Sequence, residues 1–141
     1  MKELVLGVWL AVLSIFDLKY KEIPLSISIL GGVIGIGFCL VEPRALISVL
    51  VSCLPGFLAL LFAWISKEVM GYGDGMILIG MGMYLPISQL LSIGLQAFTI
   101  AGIVALGLLV LFRKKGNYRL PLIPFLGLAY GWECFVQWGK L

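Results

Sequence analysis

Apolar residues run through this chain in six long stretches, and polar residues only punctuate them. The stretches cover residues 4–16, 25–41, 45–66, 76–85, 90–112 and 120–138. The first break is Asp17-Leu18-Lys19-Tyr20-Lys21-Glu22 with Pro24, and the second is Glu42-Pro43-Arg44. Lys67-Glu68 with Gly71-Tyr72-Gly73-Asp74-Gly75, then Pro86, then the run from Arg113 to Arg119 make the others. A helix rises 1.5 Å per residue and the hydrocarbon of a bilayer is about 30 Å thick, so about 20 apolar residues cross it. The pattern predicts an all-α, polytopic membrane protein of about six transmembrane helices, forming one domain over residues 1–141. The first and fourth stretches fall short of a full span. Pro121 and Pro124 sit near the start of the last one, where proline costs a helix least. The opening Met1-Lys2-Glu3 and its apolar run resemble a signal peptide, but without a small-residue cleavage site the segment reads as a retained first helix.

Composition sharpens this picture. Of the 141 residues 62% are apolar and 12% charged, with a mean hydropathy of +1.14. A soluble domain carries about 25% charged residues to keep its surface hydrated. Most of this surface therefore faces lipid, and the bilayer is the first expected partner. Disorder, a coiled coil and a secreted disulfide scaffold are excluded. The net charge of +3 comes from scattered basic residues, so nucleic acid is not an expected partner. Cys39, Cys53 and Cys134 lie far apart in apolar runs and the chain has no histidine. They read as buried small hydrophobes, with no metal site and no cofactor expected.

The basic residues also choose an orientation. Lys19, Lys21, Lys67, Arg113, Lys114, Lys115 and Arg119 follow the first, third and fifth stretches, against Lys2, Arg44 and Lys140 in the other set. The positive-inside rule puts the first set in the cytoplasm. Gly31-x-x-x-Gly35 and Gly127-x-x-x-Gly131 allow close helix approach. With 18 glycines in the chain, packing within one bundle is the favoured reading, and a homodimer through either pair the lesser one. Glu133 falls towards the external end of the last stretch and reads as an interfacial or bundle-facing polar contact.

Asp17 and Asp74 are the two aspartates of the chain, and each falls at the cytoplasmic end of a helix. Charges this close to hydrocarbon are costly and are functional candidates by default. Two acids brought to one site do not both ionise easily, so such a pair works with one proton between them. The ionised member can deprotonate a water while the protonated one polarises a carbonyl. Alone, Asp74 reads as an N-cap and Asp17 as a solvated helix end. Gly71, Gly73 and Gly75 remove three side chains around Asp74, clearing room for a foreign backbone that a plain cap does not need. Catalysis is the better reading; a small proton-coupled transporter, which needs an acid in mid-span, is the alternative.

Gly71-Tyr72-Gly73-Asp74 resembles the GxGD signature of membrane aspartic proteases. Asp17, Lys19 and Ile23-Pro24 resemble the first-aspartate motif of the type IV prepilin peptidases, and Pro121-Leu122-Ile123-Pro124 resembles the motif that opens their last helix. Met76 stands where the family usually has lysine, and Leu25 where it commonly has asparagine. The chain begins at the protease core, so it is similar to the short form that serves Flp-type (tight-adherence) pili, and methyltransferase activity is not expected. The resemblance implies an aspartic endopeptidase with Asp17 and Asp74 as catalytic acids, and motif or substrate roles for Gly71, Gly73, Gly75, Lys19, Pro24, Pro121 and Pro124. It also implies cleavage of a prepilin, meaning a basic leader, a small residue and an apolar helix, at the cytoplasmic face of the cell membrane.

The orientation has a direct test. Cysteines introduced near Lys114 are expected to react with impermeant reagents only after the cytoplasmic side is opened. Labelling of that loop in intact cells, with none at Glu42–Arg44, would reverse the topology.

Overall fold

The computed structural model describes residues 1–42, 44–66, 71–112 and 120–140. It contains α1 (Lys2–Tyr20), α2 (Leu25–Val41), α3 (Leu46–Ile65), α4 (Tyr72–Tyr84), α5 (Ile87–Phe112) and α6 (Ile123–Gly139), with no strand among the described residues. The protein is all-helical, as the apolar stretches predict. Of the six, α3 and α5 are long and apolar enough to cross a membrane; α2 is apolar but shorter.

Three boundaries differ from the sequence pattern, each for a local reason. The polar break after residue 16 does not end α1, which continues to Tyr20. It stops where Lys21 takes a left-handed conformation (φ 52) and donates its N–H to the Asp17 carbonyl at 3.0 Å. Asp17 therefore lies inside the helix, one turn from its end. The glycine-rich stretch is not a loop: α4 starts at Tyr72, with Gly71 as an extended N-cap whose carbonyl accepts the Asp74 N–H at 3.2 Å. Glycine costs a helix about 1 kcal/mol relative to alanine, so propensity argues for a later start and packing overrides it. In α6 the first turn begins at Ile123, with Pro124 at its second position. The missing proline N–H is harmless there.

The core is a set of helical stripes. Leu6, Leu10 and Leu13 from α1 meet Ile77 and Met81 from α4, Leu90, Ile93 and Ala97 from α5, and Ile123 and Leu126 from α6. α2 and α3 join through α4, on which α3 packs most extensively. Their buried positions are small: Ser28, Gly31 and Gly35 in α2, and Ser52, Cys53, Gly56 and Ala63 in α3. Small residues let helix backbones approach, which is how helices associate when apolar surface alone gives no preference for a neighbour. The first glycine pair acts inside the bundle as expected. Gly31 lies under the Trp9 indole, whose Nε1 donates to the Ile27 carbonyl at 2.9 Å, and the Gly31 carbonyl accepts from the Tyr84 hydroxyl at 2.8 Å. Gly127 faces Ser14, whereas Gly131 has open space around it.

Polar contacts tie the end of the bundle opposite Asp17. Lys2 pairs with Glu42, and its ammonium holds that exposed carboxyl below the usual range. The Tyr130 hydroxyl donates to the Glu3 carbonyl at 2.8 Å. Arg44 reaches the carbonyls of Met83 and Leu85 at 3.4 and 3.3 Å, at the C-terminal end of α4. Among the described residues no buried side-chain polar atom lacks a partner.

The tight α3–α4 contact can be tested by adding one methyl group. A Cβ on Gly82 would lie 2.4 Å from the Ser52 carbonyl oxygen, a backbone atom that cannot swing aside. Gly82→Ala is expected to destabilise the protein by about 1–3 kcal/mol, the usual range for overpacking. At Gly37 a Cβ meets nothing within 4 Å, so Gly37→Ala should stay within about 0.5 kcal/mol of the parent. Thermal unfolding in detergent reads both.

Candidate active site

Asp17 is placed by the same periodicity that builds the core. The inward positions of α1 run Leu6, Leu10, Leu13, and the next in that series is Asp17, which is only 6% exposed. A carboxylate withdrawn from water needs hydrogen-bond donors. Its Oδ2 accepts the backbone N–H of Ile123 at 3.3 Å. Ile123 opens α6, where the first N–H groups have no acceptor within the helix and carry its positive end. The Pro121–Pro124 motif therefore fixes the start of α6 at the point where its free N–H meets Asp17.

Asp74 comes from the first turn of α4, and its side chain is partly buried. The two carboxyls are close enough for their charges to interact. Asp17 and Asp74 are thus brought to one end of the bundle, together with the start of α2 and the start of α6. Ile23, beside the α2 N-cap Pro24, packs on Gly73: a Cβ there would lie 2.3 Å from Ile23 Cδ1. All three sequence motifs meet here.

The glycines act differently from the expectation. A Cβ on Gly75 would lie 2.7 Å from Leu60 Cγ and 3.0 Å from the Leu60 backbone nitrogen, so α3 already occupies the space. Ile23 does the same at Gly73. Clearance around these two glycines serves the approach of α2 and α3, which corrects the idea that they leave room for a foreign strand. Gly71 is the exception. It is exposed, and a Cβ there would meet only Asp74 Oδ2, at 3.7 Å.

Lys19 is not brought to the pair. It is exposed, with its Nζ 5.4 Å from the Tyr20 ring centroid, and Tyr20 stacks on Phe16. Two residues apart on a helix, Lys19 and Asp17 do not share a face. Lys67, Glu68 and the basic run from Arg113 to Arg119 lie outside the described residues. Glu133 makes the bundle-facing contact expected of it, accepting from Gln96 Nε2 at 3.3 Å between α5 and α6. Among the described residues no group of three His, Cys, Asp or Glu side chains is placed to hold a metal. Sequence reasoning missed the Ile123 N–H because a backbone donor leaves no side-chain signature. Leu60 was equally unmarked, one leucine in an apolar run.

Chemically, a carboxylate steadied by a backbone donor lies within electrostatic reach of a second, partly exposed carboxyl. Such a pair can take a proton from water at one oxygen and give one to a carbonyl at another. The sequence model described as the type IV leader peptidase family matches residues 4–112, which include both aspartates. No curated protein and no solved structure matches the chain.

The packing account of Gly73 makes a coupled prediction. Gly73→Ala is expected to lower thermal stability, since the closest obstacle is the Ile23 side chain. Ile23→Ala removes that obstacle, so the double variant should be more stable than the sum of the two single losses. A coupling of about 0.5–3 kcal/mol is usual for residues in contact. Strict additivity in a double-mutant cycle would show that Ile23 does not fill the glycine's space.

Proposed function

The chain belongs to the type IV leader peptidase family, and we propose that it is an aspartic-type endopeptidase removing leaders from type IV prepilin-like substrates. The observation that carries this reading is the meeting of Asp17 and Asp74 at one end of the helix bundle, one acid held by the N-terminus of α6. In the reaction the ionised carboxylate takes a proton from a water, which attacks the scissile carbonyl. The protonated partner donates to the carbonyl oxygen, giving a tetrahedral intermediate with two hydroxyls. On its collapse the C–N bond breaks, the proton gathered from water goes to the leaving amine, and one hydroxyl returns its proton to the second carboxylate as the new carbonyl forms. The pair ends with its single shared proton, ready for another cycle.

The bundle lies in the cell membrane as six spans, with the acid pair at the cytoplasmic boundary. Two features support this. Large apolar side chains are exposed along its flanks, among them Phe57, Leu58 and Leu61 of α3 and Ile103, Leu106 and Val110 of α5. A continuous apolar exterior on this scale belongs in lipid. The acids sit at the end of the bundle to which the basic-residue count gives the cytoplasm. A prepilin's cleavage point, between its basic leader and its apolar helix, reaches the same depth. Hydrolysis requires an extended backbone at that point, because a helical peptide keeps its carbonyls in its own hydrogen bonds. Exposed Gly71, beside Asp74, is where such a strand has room to approach.

A pair that shares one proton fails as a unit. With a prepilin substrate, Asp17→Asn and Asp74→Asn are each expected to reduce cleavage by roughly 10³-fold or more, and the double variant to be no worse. Both variants should keep the parent's thermal stability closely enough to be purified folded. Residual cleavage near the parent level in either one would remove that aspartate from the reaction.

A further inference from the structure

Between α3 and α5 lies an open groove of ≈ 760 Å³, floored by Leu78 of α4. Ala59 and Phe62 form one wall, and Leu91, Leu95 and Phe98 the other. Among the described residues its polar content is two hydroxyls, Ser88 and Ser92, with no charged side chain. Helix α5 is buried against the bundle along its first half. Its buried residues are Leu90, Ile93 and Ala97, and none is buried over residues 98–112.

We propose that this groove receives the apolar helix of the substrate and holds it in register with the acid pair. The inference rests on the leader-peptidase reading above. Position comes first. Leu78 is four residues after Asp74, one turn along the same face of α4. The groove at Leu78 therefore lies about 6 Å along the helix axis from the level of the acid. Size agrees: a helix about 10 Å across rising 1.5 Å per residue fills ≈ 760 Å³ with about two turns. Along α5 the lining runs from Ser88 to Phe98, about 15 Å of helix, so the occupant lies lengthwise. Chemistry agrees as well, because an uncharged apolar trough matches an apolar helix and gives no hold to a basic leader. The leader would then remain beyond the acids, with the extended scissile segment spanning the single turn between Asp74 and Leu78. Leu91 and Leu95 become specificity-determining residues: they set which substrate residues reach the acids, without touching the reacting bond.

The test uses the full chain in phosphatidylcholine vesicles and a synthetic substrate of basic leader, glycine and an apolar helix of about 20 residues. Leu95 is 74% exposed, so Leu95→Trp fills the groove without disturbing the core, and Leu106→Trp on the outer part of α5 is the control. Filling the groove is expected to raise KM about tenfold with kcat little changed, the signature of lost uniform binding, while the control matches the parent. In parallel, a photo-crosslinking residue at position 95 in an Asp74→Asn background should capture the substrate through the first turns of its apolar helix. Unchanged KM in Leu95→Trp, or capture of phospholipid alone, would overturn the groove assignment. Absence of cleavage by the parent enzyme would instead overturn the leader-peptidase reading, so the two failures are separable.

Discussion

The inward face of α1 passes through Leu6, Leu10 and Leu13 and arrives at Asp17. Burying an unpaired carboxylate costs several kcal/mol, because the solvation lost must be replaced by donors within the protein. α6 supplies one from its first turn, where an N–H would otherwise lack an acceptor. Each group thus satisfies the other's deficit. That exchange fixes the level of α6 against α1, and the contact of Gly127 with Ser14 one turn further on keeps the two helices at that level. The prolines around Ile123 set where α6 begins, and hence which N–H is free.

A second constraint brings Asp74 to the same place. α4 is short, and seven of its thirteen residues are buried. It sits between α2 and α3, and it can do so only because glycines line its contacts: Gly73 on Ile23, Gly75 on Leu60, Gly82 on the Ser52 carbonyl. Each glycine lowers helix propensity by about 1 kcal/mol, which close packing on both sides offsets. The glycines of the GxGD stretch thereby act on the acid indirectly. They let α2 and α3 come close enough to fix α4, and through it the depth of Asp74 beside Asp17.

Much of this was legible in the chain. The apolar run of α2 matches its helix to the residue, and those of α3 and α5 match to within three residues of each end, because long uninterrupted apolar segments leave few alternatives. The aspartate pair was legible from charge placement and motif order. The errors have one physical source, the reading of local propensity where tertiary contacts decide. Gly71-Tyr72-Gly73-Asp74-Gly75 has the composition of a loop, and only the neighbours Ile23 and Leu60 make it a helix. The polar run Asp17–Tyr20 looks like a terminus until its inward position is seen to be Asp17 alone, with Lys19 and Tyr20 turned outward onto one another. The donor to Asp17 was invisible for a different reason: it is a backbone group, and every residue but proline carries one.

The two ends of the bundle are built for different purposes. At the end away from the acids, Lys2 with Glu42, Tyr130 with the Glu3 carbonyl, and Arg44 with the last carbonyls around α4 connect the helices to one another. Polar groups there are consumed in holding the structure. At the acid end, among the described residues, Asp17 accepts from the Ile123 N–H, Asp74 stays partly accessible, and exposed Gly71 and Tyr72 stand next to it. On the proposed peptidase reading, that accessibility is what lets water and a peptide carbonyl reach the acids. On the same reading the apolar trough at Leu78, one turn along α4 from Asp74, gives the substrate a direction, along the bundle from the acids towards its tied end.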